Sequence, residues 1–283
     1  MKPATPRQQK FAAAYDADIW PLVPERGADL ILRHLPRIAA ATVLDIGSAT
    51  GRLALAVGER LDQKGRIVGI DPSPALIDRA NAAKALSPAG GKVSFQCADL
   101  LPPWPGGNGA YDLIVSNLAL ADVPDQGAAL SDGARILKPG GRLVATIPLR
   151  GSWAEFLDLY ADVLTEQGKP DGLTALAAYK RSLPDVDVVT RWLESAGLTQ
   201  IAIDVNRWEL LFKSAREFFF APIVELGPLP IWKQIAGGRG DEMQDVFFFV
   251  KEAIETYFSG APFPVSMVVA CLQGVKPIAA ASP

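Results

Sequence analysis

The chain is short of the residues that most often ligate metals or carry redox chemistry. Its 283 residues include one histidine, His34, and two cysteines, Cys97 and Cys271. The cysteines have neither metal-ligand spacing nor the pattern of a disulfide framework, so no metal site is expected. His34 sits in an early helical segment and reads as structural or exposed, which leaves no histidine dyad for general base work. No apolar run approaches the ~20 residues of a membrane span. The first ten residues lack the apolar stretch of a signal peptide. Neither sign of charge dominates, with 28 Lys and Arg against 31 Asp and Glu and a pI near 5.3. Without a concentrated basic face, nucleic acid is not an expected partner. There is no internal repeat and no low-complexity tract. These absences describe a soluble, cytoplasmic chain, long enough for one large domain or a domain with a sizeable cap.

What is present is an alternation of apolar strands and helices. Ala41 to Ile46 is a near-continuous apolar run, suited to a parallel strand covered on both faces. It passes through the small residues Gly47-Ser48-Ala49-Thr50-Gly51 into a helix over 52–61. Strands are expected at 66–70, 92–97, 111–116 and 142–147. Helices are expected at 7–16, 27–35, from Ser73-Pro74 to Leu86, and at 127–137. Ser73 is placed to cap its helix and Pro74 suits the first helical position. Lys138-Pro139-Gly140-Gly141 should turn the chain into the fifth strand. Such short-spaced alternation predicts an α/β fold, a mostly parallel sheet with helices on both faces.

Beyond Pro148 the pattern loosens. Ser152 and Glu155 predict a capping box for a helix to about Gln167. Residues 168–184 read as irregular, and another helix follows to about Ser195. A strand is expected at 200–205, a helix from a second capping box at Ser214 and Glu217, a break at Pro222, a helix at 242–258 and a last strand at 265–273. Nine of the twelve phenylalanines fall from residue 212 onward: Phe212, Phe218, Phe219, Phe220, Phe247, Phe248, Phe249, Phe258 and Phe263. They predict an apolar helical cap before the last strand.

The turn after the first strand has the makings of a cofactor cradle, with backbone N–H groups and little side-chain bulk. A nicotinamide-binding turn wants Gly at its first, third and sixth positions, which here hold Gly47, Ala49 and Arg52. Three carboxylates, Asp45, Asp71 and Asp99, stand at the C-terminal ends of successive strands, where such sheets bind ligands. They would repel a pyrophosphate and suit a cationic ligand bearing a ribose and an exocyclic amine. Taken singly, Asp71 before Pro72 also reads as a turn residue and Asp99 as a loop cap. Asp45 is harder to explain that way, because an unpaired buried carboxylate is costly.

In order and spacing, Val43-Leu44-Asp45-Ile46-Gly47-Ser48-Ala49-Thr50-Gly51, Val68-Gly69-Ile70-Asp71, Ala98-Asp99-Leu100 and Leu137-Lys138-Pro139-Gly140-Gly141 resemble the motifs of class I S-adenosylmethionine-dependent methyltransferases. Ser116-Asn117-Leu118-Ala119-Leu120 and the helical insertion are distantly similar to the malonyl-acyl-carrier-protein O-methyltransferases, whose Trp after that run is replaced here by Ala121-Asp122-Val123. The resemblance implies a Rossmann-like seven-stranded sheet in the order 3-2-1-4-5-7-6, in which Cys97 and Cys271 lie apart. It implies that Asp71 receives the ribose hydroxyls and Asp99 the adenine amine. Leu100 and Ala98 would complete that edge, with Pro72 packing on the ring. Gly47, Ser48, Ala49 and Gly51 would hold the methionine moiety, Asp45 would fix the turn, and Ser116 and Asn117 would line the transfer face. The family often has Gly where Ala49 stands.

Three units are expected: residues 1–40 as helices covering the cofactor, 41–150 as the binding core and 151–283 as the end of the sheet with a substrate cap. Tyr15, Phe218, Phe219 and Trp232 are candidates for the substrate side. Phe11 and Tyr15, four apart, equally suit core packing, as do the Phe runs, because adjacent side chains cannot all face one way. With no base in evidence, the expected reaction is O-methylation of an already nucleophilic, largely apolar small molecule or a carrier-bound acyl chain, yielding S-adenosylhomocysteine. Lys180, Arg181, Arg207, Lys213, Arg216 and Lys233 could meet an acidic carrier or be ordinary solvated charges. The alternatives are an S-adenosylmethionine-binding assembly or regulatory protein without methyl transfer, and a nicotinamide oxidoreductase.

Overall fold

A computed structural model describes residues 4–35, 39–238 and 240–278. The expected N-terminal and C-terminal units also run over residues 1–3, 36–38, 239 and 279–283, which lie outside the described residues. Seven strands form one sheet in the order β3-β2-β1-β4-β5-β7-β6. They are β1 (Thr42–Ile46), β2 (Arg66–Asp71), β3 (Val93–Cys97), β4 (Tyr111–Asn117), β5 (Leu137–Pro148), β6 (Thr199–Phe212) and β7 (Phe263–Val275). The first five pair in parallel, and β7 runs antiparallel to both β5 and β6. Helices α1 (Pro6–Ala14), α2 (Pro24–His34), α3 (Arg52–Glu59), α4 (Pro74–Leu86) and α5 (Gln126–Ile136) accompany them, with α6 (Ala154–Glu166), α7 (Pro170–Ser182) and α8 (Val186–Ser195) between β5 and β6. This is the expected Rossmann-like sheet.

Parallel strands explain the apolar runs. Val43, Leu44, Ile46, Ile67, Ile70, Leu113, Ile114, Val115 and Val144 are essentially inaccessible, since both sheet faces are covered. Cys97 lies on the β3 edge and Cys271 on β7, both as free thiols. Burial pushes the Cys271 thiol up to about 12.

The insertion between β6 and β7 holds α9 (Ala215–Phe220), α10 (Pro222–Glu225), α11 (Leu229–Ile235) and α12 (Asp241–Tyr257). Ser214 caps α9 by accepting from the Glu217 amide at 3.1 Å, while Glu217 accepts from the Lys213 amide. Pro222 separates α9 from α10, as its missing N–H requires. The cap is built jointly by this insertion and by α6 and α7, which pack against α12 and α11.

Several expectations are corrected. Residues 168–184 are not irregular, because Pro170 opens α7. The sixth strand runs on to Phe212, its alternating charged residues marking an edge strand paired along one side with β7. Ser152 and Glu155 form no capping box. Ser152 Oγ donates to the Val268 carbonyl at 2.9 Å, and Glu155 receives the Ser266 amide and hydroxyl at 2.7 and 2.6 Å, so both are claimed by β7. Ser73 occupies the cap position of α4 without its hydroxyl accepting from a helix amide. Lys138 to Gly141 falls within β5 but makes the expected turn there as an irregularity: Gly140 takes φ of 80°, and the pairing with β4 jumps from Tyr111–Leu137 to Leu113–Arg142, with Gly140 donating to the Lys276 carbonyl at 2.8 Å. His34 is structural, bonding Asp204 on β6 at 3.0 Å. No helix among the described residues is long and apolar enough to cross a membrane.

Candidate functional site

The turn between β1 and α3 is wound through left-handed backbone, with φ of 73° at Gly47, 46° at Ala49 and 82° at Gly51. Two positions need glycine for space as well. A Cβ on Gly47 would stand 2.0 Å from Ala119 Cβ, and one on Gly51 would stand 2.4 Å from Phe95 Cζ. Ala49 carries a side chain where L-residues rarely go, at a cost of about 1–2 kcal/mol. The turn is held against β2: the Gly47 and Ser48 amides both donate to the Ile70 carbonyl at 2.9 Å.

Asp71, not Asp45, ties this turn by its side chain. One Asp71 oxygen accepts from the Ala49 amide at 3.0 Å and the other from the Ser73 amide at 2.9 Å. Burial raises the Asp71 carboxyl to about 6, with the Ser73 and Ala49 amides pulling the other way and the Asp122 charge adding to the rise. Asp45 is buried with neither oxygen in a side-chain hydrogen bond. Burial, reinforced by Asp71, pushes it up to about 7, with the Ala54 amide alone opposing. Ser48 Oγ and Ser73 Oγ are likewise buried without partners. Of these residues Ser73 lines the cavity in front of the turn, while Asp45 and Ser48 lie behind the turn, outside that lining.

A cavity of about 460 Å³ opens from this turn, within the range of small-molecule sites. Gly47, Ala49, Asp71, Pro72, Ser73 and Leu100 wall its sheet end, and Asn117, Leu118 and Asp122 its floor. Tyr15, in the π-helical turn Tyr15–Ile19, forms part of its lid. Ile223, Leu226, Pro228, Trp153 and Met267 close the apolar end. Tyr15 serves both readings made of it: its ring packs 5.5 Å from Phe11 and also lines the cavity. Burial first, then Asp71, Asp45 and Asp16, hold its hydroxyl protonated far above the ordinary range.

The N-terminal segment is fastened at both ends of the cavity. Asp16 accepts from Thr50 Oγ1 and Arg52 Nε, each at 2.8 Å, fixing the π-helical turn to the cofactor turn. Arg7 donates to the Leu226 carbonyl at 2.8 Å and Lys10 pairs with Glu225 at 2.6 Å, joining α1 to the insertion. Asn117 donates to the Pro24 carbonyl at 2.8 Å and accepts from Thr146 Oγ1 at 2.7 Å, pinning α2 to the strand ends.

Other expected site residues lie elsewhere. Asp99 is exposed and accepts from the Leu101 amide at 2.9 Å, the loop-cap arrangement. Of the Ala98-Asp99-Leu100 run, Leu100 alone lines the cavity. Ser116 is buried and donates to the Ile46 carbonyl at 2.9 Å, so it supports β1 instead of facing a ligand. Phe218 and Trp232 are fully buried, and Phe219 packs beside them; all three belong to an aromatic core with Phe156 and stand apart from the cavity lining. Adjacent rings on a short helix went to the cap interior.

Sequence reasoning missed Asp122, whose carboxyl is raised by burial, and the acceptor-end residues Trp153, Ile223, Leu226 and Met267. The signal for Asp122 was present, since it stands in the stretch that departs from the expected Trp. The apolar residues carried none, coming from three segments joined only by folding. Among the described residues no group of three or more His, Cys, Asp or Glu side chains is placed to hold a metal ion.

The methyltransferase-domain family matches residues 43–141, the stretch from β1 to the start of β5. A trans-aconitate 2-methyltransferase of Streptomyces avermitilis is 31% identical over 213 residues, covering 63% of this chain and 76% of that protein. A nocamycin O-methyltransferase of Saccharothrix syringae is 32% identical over 144 residues, and the match spans 50% of this chain and about half (49%) of the relative. Among solved structures, the YcgJ protein of Bacillus subtilis superposes with a TM-score of 0.56 at 18% identity, over 89% of this chain and 99% of that one, which shows the shared fold.

Proposed function

Because the chain belongs to the class I S-adenosylmethionine-dependent methyltransferases, we propose that it methylates a small, largely apolar acceptor at oxygen, and that the cavity beneath the α1 lid and the insertion is where it does so. The observation that carries this reading is the two-ended cavity: Asp71, Ser73 and a left-handed turn at the sheet end, an apolar wall at the other.

The residues present fit the cofactor. When bound, S-adenosylmethionine supplies an electrophilic methyl group on a sulfonium sulfur, and S-adenosylhomocysteine remains. Gly47, Ser48, Ala49 and Gly51 would hold its amino-acid end, Asp71 would accept from its ribose, and Pro72 and Leu100 would flank its base. Asp45 would lend negative charge behind the turn. The lid of α1 and Tyr15 excludes water, and the rigid floor at Asn117 and Leu118 fixes the approach of the acceptor. The cavity offers Tyr15, Asp71, Asp122 and Arg7 as titratable groups and no histidine, which supports an acceptor that is already nucleophilic, such as a carboxylate, phenol or enol.

In the same reading, residues 1–40 cover the cofactor, 41–150 bind it and 151–283 shape the acceptor space, with a free small molecule as the acceptor. A carrier-bound acyl chain gains less support from the basic residues named above, of which Lys180 is already paired with Asp158 at 2.7 Å and Arg216 lies over Phe220. The unpaired cysteines support a cytoplasmic setting.

The test has two arms. Purified protein is titrated with S-adenosylhomocysteine and with NADH; saturable binding of the first alone is expected, and binding of NADH alone would overturn the assignment. Cell extract is then incubated with protein and labelled S-adenosylmethionine. A labelled apolar small molecule, heavier by one methyl on oxygen, is expected; label confined to nitrogen, carbon or a carrier protein overturns the acceptor class. Binding without any labelled product would favour an assembly or regulatory role.

A further inference from the structure

A second cavity, of about 410 Å³, lies on the other side of α2 and shares no lining residue with the first. Its walls are the outward face of α2 (Arg26, Asp29, Leu30, Leu32 and Arg33), Arg60 after α3, and Asn206, Arg207 and Trp208 on β6. Three guanidiniums, those of Arg26, Arg33 and Arg60, stand in these walls with one carboxylate, Asp29; the Arg207 side chain leaves β6 on the face opposite Asn206 and Trp208. Nearby Asp204 is already matched by His34 at 3.0 Å. Arg26 stacks 5.3 Å over the Trp208 ring. Arg60 donates to the Leu32 carbonyl and keeps donors to spare, whereas the Arg207 guanidinium is turned to Ser266 Oγ at 3.0 Å, with the Glu155 carboxylate at 3.9 Å.

Two further donors make this more than surface charge. The Trp208 indole N–H is buried with no acceptor, and so is the Asn206 side-chain amide at hydrogen-bonding geometry, although Asn206 stands close enough to Asp204 to help hold that carboxyl low. Burying a donor without an acceptor forfeits its hydrogen bond to water. A cavity rich in donors and poor in acceptors invites a ligand that is all acceptor. Guanidiniums favour planar, bidentate oxygen pairs, which carboxylates and phosphates both present. The volume, about 410 Å³, is that of a small-molecule site.

We infer that this groove binds a small organic polyanion bearing two or more carboxylate or phosphate groups. The site is separate from the methyl-transfer cavity, with α2 as the wall between them. Neither its existence nor its test depends on the acceptor proposed above.

Isothermal titration with pyrophosphate and, separately, citrate, at matched ionic strength, tests it; the stronger of the two arms tells phosphate from carboxylate. Saturable one-to-one binding of at least one probe is expected, weakened tenfold or more in an Arg26→Gln/Arg33→Gln variant. The variant's affinity for S-adenosylhomocysteine should be unchanged, which reports an intact fold. If that variant does not fold, Arg33→Gln alone replaces it, leaving the Arg26–Trp208 stacking in place, with binding again weakened. Absence of saturation with both probes, or equal affinity in a folded variant, overturns the inference.

Discussion

The sheet end of the main cavity and the aromatic core of the cap, which stands apart from that cavity's lining, satisfy their buried groups in different ways. At the sheet end, Asp45, Ser48 and Ser73 bury oxygens that find no partner, and three of the five residues from Gly47 to Gly51 stand at positive φ. In the cap core, Phe156, Tyr160, Phe218 and Trp232 lie fully buried in ring-to-ring contact, Phe156 and Trp232 with centroids 4.2 Å apart, and Tyr160 donates to the Trp232 carbonyl at 2.7 Å. Among those four side chains only the Trp232 indole N–H lacks an acceptor. The sheet end therefore leaves buried oxygens unsatisfied, whereas the cap is largely complete in itself. Mutations should divide accordingly, binding suffering more in one region and stability more in the other.

The largest effect is expected in the cap. Trp232→Ala removes a fully buried indole and should cost about 3–5 kcal/mol of stability in urea unfolding. Affinity for S-adenosylhomocysteine, measured where the variant remains folded, should change less than twofold. A proportionate loss of affinity would mean that the two regions are not independent.

Next comes the reverse case. Asp71→Ala removes the acceptor for both the Ala49 and Ser73 amides along with the proposed ribose contact. Affinity for S-adenosylhomocysteine should fall about a hundredfold, ~3 kcal/mol, while the cap's near-ultraviolet signal persists. A loss below tenfold would place the ribose elsewhere.

This division also tracks what could be read from the chain. The core strands were legible because a parallel strand buried on both faces is apolar nearly throughout, as Val43, Leu44 and Ile46 are around Asp45. The left-handed turn was legible in its glycines. Partnerships made across the fold were not. Ser152 and Glu155 satisfy a local capping pattern, yet Ser266 and Val268, more than 100 residues away, claim them. Asp45 and Asp71 look alike as strand-end carboxylates, and only the return of the turn over β2 decides that Asp71 takes the amides. Asp99 looked like a third member, but its own loop supplies the Leu101 amide two residues on.

The buried acid itself gives a pH test. Asp45 titrates near 7 in the folded protein against an ordinary 3.8, so between those values the folded state holds a proton that the unfolded state has lost. Unfolding free energy should therefore be greatest near pH 4, fall as pH rises and level off above 7. In Asp45→Asn the decline should end near 6, where Asp71 finishes titrating, with a net gain of about 2 kcal/mol at pH 8. An identical pH profile in the two proteins would mean that Asp45 is not the strained group. At the apolar end, Ile223→Ala should raise the acceptor KM about fivefold, ~1 kcal/mol, and leave S-adenosylhomocysteine binding unchanged.

Ala49 sets the finest test, because it belongs to the polar end and yet contributes only a methyl group. At φ 46° its Cβ is strained, while its amide holds Asp71 at 3.0 Å. Ala49→Gly relieves about 1–2 kcal/mol of left-handed strain but returns about 0.4–1 kcal/mol through greater freedom of the unfolded chain. The balance is a gain of about 0.5–1 kcal/mol, read as a rise of about 1–4 °C in melting temperature. The amide survives the change, so affinity for S-adenosylhomocysteine should move less than threefold. If affinity falls further while stability rises, the methyl is itself part of the ligand's seat. The strain at this turn would then be held in place by binding.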